Sequence, residues 1–414
     1  MKLRIHNIQG KKERLFNVNE LLILAILLMS FMNLYLYTLH LMVLAFVIFA
    51  FLKGRLSIPN GIFPPLLLSV SMVLFWHEGI LSLSAWMNRI VWPAAFLLGY
   101  NLVQPDAWDA ESAQKTERKV QTSFIIAAVG FFVHLMLNMA INLGQETATR
   151  NTIDIWTEES LAATVQGGLF CVPMAWCIAY IVEEARIIRK IPALLGVAIM
   201  LYYNLSLGSR TVIMIVAIIF CLAIIYHLSA GKSIAKKAQV LFAVVGIGLV
   251  LAVVYSMDIG GIRSIVEESQ LFGRMDESGS VQIAKDVRWS TKLKFLGLMP
   301  QYLFGGNNIY KEVGMYAHDI LLDTYDQASV FALLAIVAML WDSIAKLLWV
   351  LRSQHLKYGL KITILCLYTS IYIYFAVEPI LDGMPWLLMT FCFFNGMLTW
   401  LVRNNCAISK SSAC

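Results

Sequence analysis

Apolar runs of membrane length follow one another along nearly the whole chain, and no other feature narrows its fold so far. An α-helix needs about 20 apolar residues to cross the hydrocarbon core of a bilayer. Inside that core every backbone N–H and C=O must be bonded within the protein, which favours helices. On this criterion about twelve spans are expected, near 20–38, 40–53, 62–78, 84–102, 122–143, 160–182, 191–206, 209–228, 239–256, 328–350, 361–377 and 383–402. The second and seventh are short, as tilted, tightly paired or partly re-entrant segments are. Composition agrees: 59% of the 414 residues are hydrophobic and 14% charged, against roughly 25% charged in a soluble domain. The fold class expected is an all-α polytopic membrane protein.

Charge sets the expected orientation. Basic clusters at Lys53/Arg55, Lys115/Arg118/Lys119, Arg186/Arg189/Lys190, Lys232/Lys236/Lys237 and Arg352/Lys357/Lys361 fall on alternate turns, so 22 of the 32 Lys and Arg lie on one side and 10 on the other. The basic side is cytoplasmic by the positive-inside rule. Both termini are then expected inside, and the net charge of +6 is an orientation signal. The basic lead Lys2, Arg4, Lys11, Lys12, Arg14 precedes an apolar run with no small-residue cleavage site, which reads as a retained first helix. The chain divides into spans one to nine over 1–256, a large extracytoplasmic loop over 257–327, spans ten to twelve over 328–403 and a cytoplasmic tail over 404–414. That loop is the one long polar interval, and a membrane protein places its chemistry at such a position.

Several chemistries are excluded. The seven cysteines lie in apolar spans or the C-terminal tail, against a disulfide framework or a metal site. There is no G-x-x-x-x-G-K-[ST], H-E-x-x-H or C-x-x-C. An energy-coupled pump and a metal hydrolase are therefore not expected, nor is a metal, a cofactor or a nucleic-acid partner.

The residues that carry chemistry gather around the loop. Arg210 sits in Leu207-Gly208-Ser209-Arg210-Thr211, a tight outer turn at the start of a helix. There it either snorkels to the interface or meets an anion. Arg89, near the outer end of the fourth span, poses the same choice. Lys285 to Leu296 reads as an amphipathic helix, with Arg288 and Lys292 as i,i+4 neighbours and Trp289, Leu293 and Leu296 as an apolar stripe that suits a bilayer surface. Pro300 and the Gly305-Gly306-Asn307-Asn308 turn end the element and let the backbone reverse or approach a ligand. His318 follows, with Asp319, Asp323 and Asp326 at helical spacing behind it. The acids suit the start of a helix; the histidine suits a base near neutral pH. The loop holds seven Lys/Arg against ten Asp/Glu, so its cationic character is confined to Lys285–Lys294.

The Gly208-Ser209-Arg210 turn, the Arg288 helix running to Pro300 with its Gly-rich turn, and the His318-Asp319 re-entry ahead of a membrane helix together resemble the O-antigen polymerase and O-antigen ligase superfamily. The resemblance implies a GT-C-like glycosyltransferase of the bacterial cytoplasmic membrane, metal-independent and active on its outer face. Its substrates would be an undecaprenyl-diphosphate-linked oligosaccharide donor and a glycan acceptor. Membrane lipids, a flippase and chain-length regulators would be its partners. Residue by residue it implies Arg210 and Arg288 as the grip on the diphosphate and His318 as the residue that acts on, or orients, the acceptor. Arg89, Arg263, Lys292 and Asp319 complete the expected substrate-binding set. The chain departs from the ligase pattern at Asp319, where Asn, Ser or Gln is usual, and at Ser329, where glycine is expected. Both departures count against a ligase more than against a polymerase of repeat units, since polymerases diverge widely with the glycan they handle. A ligase moving finished polymer to lipid A core and a flippase for the same lipid-linked glycan are the alternatives; a transporter site would sit at the bilayer midplane, often with repeat symmetry.

Overall fold

The computed structural model describes residues 16–75, 83–104, 110–142, 151–184, 186–229, 253, 255–258, 262–267 and 287–411. Its helices stand over the apolar runs. The first half holds α1 (Val18–Phe31), α2 (Thr38–Lys53), α3 (Phe63–Phe75), α4 (Leu83–Leu102), α5 (Ala110–Asn142), a hairpin of β1 (Asn151–Ile153) and β2 (Ser160–Ala162), α6 (Ala163–Gly168), α7 (Cys171–Glu183), α8 (Ile187–Leu207) and α9 (Arg210–Ser229). The second half holds α10 (Ile262–Glu267), α11 (Val287–Leu298), α12 (Asn308–Val313), α13 (Ile320–Ala328), α14 (Val330–Arg352), α15 (Tyr358–Val377), α16 (Ile380–Gly383) and α17 (Pro385–Ser411).

Among the described residues seven helices are long and apolar enough to cross a membrane, and Val18–Phe31, Thr38–Lys53 and Asn60–Phe75 are shorter apolar helices. Most of the ninth expected span, 239–256, lies outside the described residues, as do the basic lead of residues 2–14 and most of 257–286.

Four boundaries differ most from expectation. Helix α1 ends at Phe31 instead of near 38, and Asn33 and Tyr35 then turn the chain at positive φ. Helix α5 begins at Ala110 instead of near 122, because its charged first turns are tied to neighbours: Lys119 pairs with Glu20 at 2.5 Å and Thr116 Oγ1 donates to the Val103 carbonyl at 3.2 Å. Helix α17 runs to Ser411 through the expected tail. The span expected over 160–182 starts as a strand, breaks after α6 and resumes as α7.

The core is set by α4 against α17. A Cβ on Gly99 would strike the Phe393 carbonyl, and one on Gly396 would strike the Phe96 carbonyl. The two backbones touch where only glycine fits, the small-residue packing by which membrane helices approach closely. Around this seam Phe31, Phe131, Phe391, Phe393 and Phe394 are buried, with Phe124 stacked on Phe394 at 4.3 Å.

The hairpin is held by a second buried cluster. Asp154 Oδ2 lies 2.8 Å from His134 Nε2 on α5, and Asn138 donates to Gln166 Oε1 at 3.1 Å. Asn142 exchanges two 2.8 Å hydrogen bonds with Ile153. The described hairpin, residues 151–162, is thus tied back onto α5.

Candidate active site at the loop end of the bundle

Residues 287–329 pack over the end of α15 and against α14 and α3. Helix α11 is amphipathic as expected over its described residues, Val287–Leu298; Lys285 and Asp286 lie outside them. Trp289, Leu293 and Leu296 are exposed, while Thr291 and Phe295 are buried. Arg288 and Lys292 share the inward face with them. Lys292 Nζ donates to the Ala376 carbonyl at 2.7 Å and to Asp319 Oδ2 at 3.0 Å. Arg288 Nη1 donates to the Val377 carbonyl at 3.0 Å and lies 3.5 Å from Glu378 Oε1. Both cations therefore bind the last carbonyls of α15, the negative end of that helix.

The turn at Gly305 and Gly306 closes the segment. Gly305 has φ +70°, and a Cβ there would lie 2.8 Å from the Ser329 amide. The close approach is thus to the backbone at the end of α13. Gly306 and Asn307 donate to the Gln327 and Asp326 carbonyls. The Asp326 carboxylate accepts from the Ile309 and Tyr310 amides at 2.8 and 2.9 Å.

His318 adopts φ +56°, a left-handed conformation uncommon for a residue with a side chain. Asp323 holds it there by accepting from the Ala317 amide at 2.8 Å and the Asp319 amide at 3.1 Å. Burial pushes the Asp323 carboxyl up to about 7 against the pull of those amides. His318 Nδ1 lies 2.8 Å from the Tyr316 carbonyl. A carbonyl only accepts, so Nδ1 carries the proton and Nε2 of the neutral ring keeps its lone pair. Burial holds the His318 pKa below its ordinary 6.5; the Tyr316 carbonyl opposes this and the Arg288 charge reinforces it.

Arg210 opens α9 and is exposed. Gly208 ends α8 at φ +61°, and Asn204 Nδ2 pins the turn through the Ser209 carbonyl at 3.1 Å. The next residue, Thr211, donates from Oγ1 to Glu378 Oε1 at 2.9 Å. Glu378 thus touches both the Arg210 turn and Arg288.

The structure brings Arg288, Lys292, His318 and Asp319 together, with Arg210 adjoining through Thr211. Asp319 has structural work as well: it caps α13 by accepting from the Leu321 amide at 3.0 Å. Arg263 is engaged within its own segment, by Glu267 at 2.8 Å and through its amide by Asp258 at 2.8 Å. Arg89 is 4% exposed and sits 6.0 Å from the Trp86 ring, inside the bundle instead of snorkelling from it. Sequence reasoning assigned no role to Glu378 or Thr211, and to Asp323 only that of an acid at a helix start. The available signal for Glu378 was an acid between two apolar spans, fixed by the proline that follows it. Among the described residues no three His, Cys, Asp or Glu side chains gather in a metal-ligating group.

No protein-family model and no curated protein matches this chain. Its function is therefore argued from the site.

Proposed function

We propose that this protein is a glycosyltransferase that polymerises undecaprenyl-diphosphate-linked oligosaccharide repeat units on the outer face of a bacterial cytoplasmic membrane. The observation that carries the reading is the convergence of Arg288, Lys292 and His318 at the end of α15, beside the turn that bears Arg210.

In this reading the diphosphate of the donor lies against Arg288 and Arg210, with Lys292 as a further cation. An acceptor hydroxyl hydrogen-bonds to His318 Nε2 and attacks the anomeric carbon of the donor sugar. The bond from that carbon to the diphosphate oxygen breaks, the hydroxyl proton passes to Nε2, and undecaprenyl diphosphate leaves with its negative charge against the guanidinium groups. Arginine suits this work because its planar fork pairs bidentately with phosphate oxygens. Fixed cations aimed at developing charge lower the barrier without reorganising during the step. The depressed pKa of His318 keeps the ring neutral and basic at pH 7. Three cations against the carboxylates of Asp319 and Glu378 give the cluster one net positive charge. A polyanion suits it better than a neutral sugar alone.

The test is genetic and chemical together. In a strain lacking the protein, acceptor glycans carrying single repeat units are expected to accumulate, and Arg210→Ala, Arg288→Ala and His318→Ala, each present at wild-type level in the membrane, are expected not to restore polymer. Lipid-linked polymer beside a bare acceptor would identify a ligase. Repeat units trapped on the cytoplasmic face would identify a flippase.

A further inference from the structure

Glu378 is buried completely, at 0% exposure, at the end of the membrane-spanning helix α15. That is a costly position for a carboxylate. Taking a carboxylate out of water is expensive, and the C-terminal end of a helix carries partial negative charge of its own. Its backbone is extended, with φ −134° and ψ 154°, the region to which a following proline confines a residue; Pro379 supplies that restraint. The side chain is thereby aimed at two segments distant in sequence. Oε1 accepts from Thr211 Oγ1 at 2.9 Å and lies 3.5 Å from Arg288 Nη1. Oε2 is buried and accepts no hydrogen bond among the described residues. Asp382, the other acid of this turn, is taken up by Gln327. Glu378 is thus the carboxylate that meets both arginine-bearing segments.

An acid beside a phosphate-gripping arginine weakens the local positive charge, so its retention calls for a compensating role. Orientation supplies one. Arg288 extends from α11, a helix seated over the bundle, and its side chain is 38% exposed. An arginine so placed keeps several rotamers unless one edge is fixed. The Val377 carbonyl and Glu378 both engage Nη1. One edge of the fork is thereby pinned while the side chain still reaches the surface.

We propose that Glu378 is the positioning residue of the phosphate subsite. Through Thr211 it fixes the start of α9, and through Arg288 it fixes α11, so that Arg210 and Arg288 bear on the same diphosphate. This rests on the diphosphate substrate proposed above.

The experiment measures binding of undecaprenyl diphosphate and undecaprenyl monophosphate to the full-length protein in detergent by native mass spectrometry, with the melting temperature of each variant alongside. Wild type is expected to prefer the diphosphate. Glu378→Gln keeps the size and the Thr211 contact but removes the charge that orients Arg288. It is expected to weaken diphosphate binding about tenfold, the scale of one charge-assisted contact, and to leave monophosphate binding within about twofold. Glu378→Asp is expected to recover part of the loss. Because Glu378 acts through Arg288, the Arg288→Gln/Glu378→Gln double variant is expected to bind no more weakly than Arg288→Gln alone. The proposal is overturned if Glu378→Gln keeps wild-type diphosphate affinity, if it weakens both lipids equally as its melting temperature falls, or if the two losses multiply in the double variant. Wild type that binds neither lipid overturns the substrate reading and this role with it. Melting-temperature shifts that are non-additive in the double variant would then identify a purely structural ion pair.

Discussion

Asp323 fixes the conformation of His318 without touching its ring. The carboxylate accepts from the amides on either side of the histidine, at 2.8 Å from Ala317 and 3.1 Å from Asp319, and so clamps a backbone that a side chain makes unfavourable. Replacing Asp323 by Asn puts an NH2 group where one of two amide donors needs an acceptor. Misplacement of a catalytic group by about 1 Å costs on the order of a hundredfold in rate, and that loss is expected for Asp323→Asn, measured as kcat for glycan elongation with protein level unchanged.

The same carboxyl makes stability depend on pH. Its folded pKa of about 7 lies above the ordinary 3.8, so the folded protein holds a proton that the unfolded chain has released. This stabilisation is fully present below about pH 4 and is lost as the pH rises towards 7. The melting temperature of the wild type is expected to fall across that window more steeply than that of Asp323→Asn.

On the proposed mechanism, His318 is the group expected to set the acid limb of activity. With its pKa below 6.5, the ring remains a neutral base at pH 6.5, and kcat/KM is expected to hold level there and to decline only at lower pH. Arg288 contributes to the depression, so in Arg288→Gln the acid limb is expected to move upward, towards 6.5. An unmoved limb in that variant would remove His318 as the titrating base.

Ser329 occupies a backbone conformation that suits glycine. It has φ +94°, with its side chain fully buried and Oγ accepting or donating no hydrogen bond among the described residues. The fold keeps a glycine conformation with a serine in it. Ser329→Gly relieves backbone strain and removes a buried hydroxyl, and is expected to stabilise the protein by about 1 kcal/mol, read as a higher melting temperature with activity retained.

Gly99 and Gly396 test the packing of α4 on α17. An alanine at either position meets a carbonyl oxygen of the facing helix, and overpacking of this kind costs roughly 1–3 kcal/mol. Both variants are expected to lower the melting temperature, whereas Gly297→Ala, on the open side of α11, is expected to leave it unchanged.

Much of the helical framework was legible because hydropathy is a local property, and the helices over 84–102, 191–206 and 209–228 stand within a few residues of expectation. The long start of α5 was not, since Lys119 and Thr116 are ordered by Glu20 and Val103, partners remote in sequence. The hairpin over 151–162 was hidden for the same reason: its polar residues are satisfied by His134, Asn138 and Asn142 of α5. At the site, Arg288, Lys292 and His318 announced themselves by residue type and spacing. Glu378 did not, and Asp323 read only as an acid at a helix start, because burial of a carboxylate is decided by what packs over it. The need for glycine at 305 was visible, but its partner, the backbone of 327–329, was not.

The central claim is that Arg288 and His318 perform glycosyl transfer from a lipid-linked diphosphate. It is tested most directly by supplying the purified wild-type protein with undecaprenyl-diphosphate-linked repeat units extracted from the deletion strain and resolving the lipid-linked products by mass. The expected result is a ladder of elongated glycans with release of undecaprenyl diphosphate, reduced at least a hundredfold in Arg288→Ala and in His318→Ala. A wild-type protein that leaves the repeat units unchanged, or variants that build the same ladder at the same rate, would contradict it.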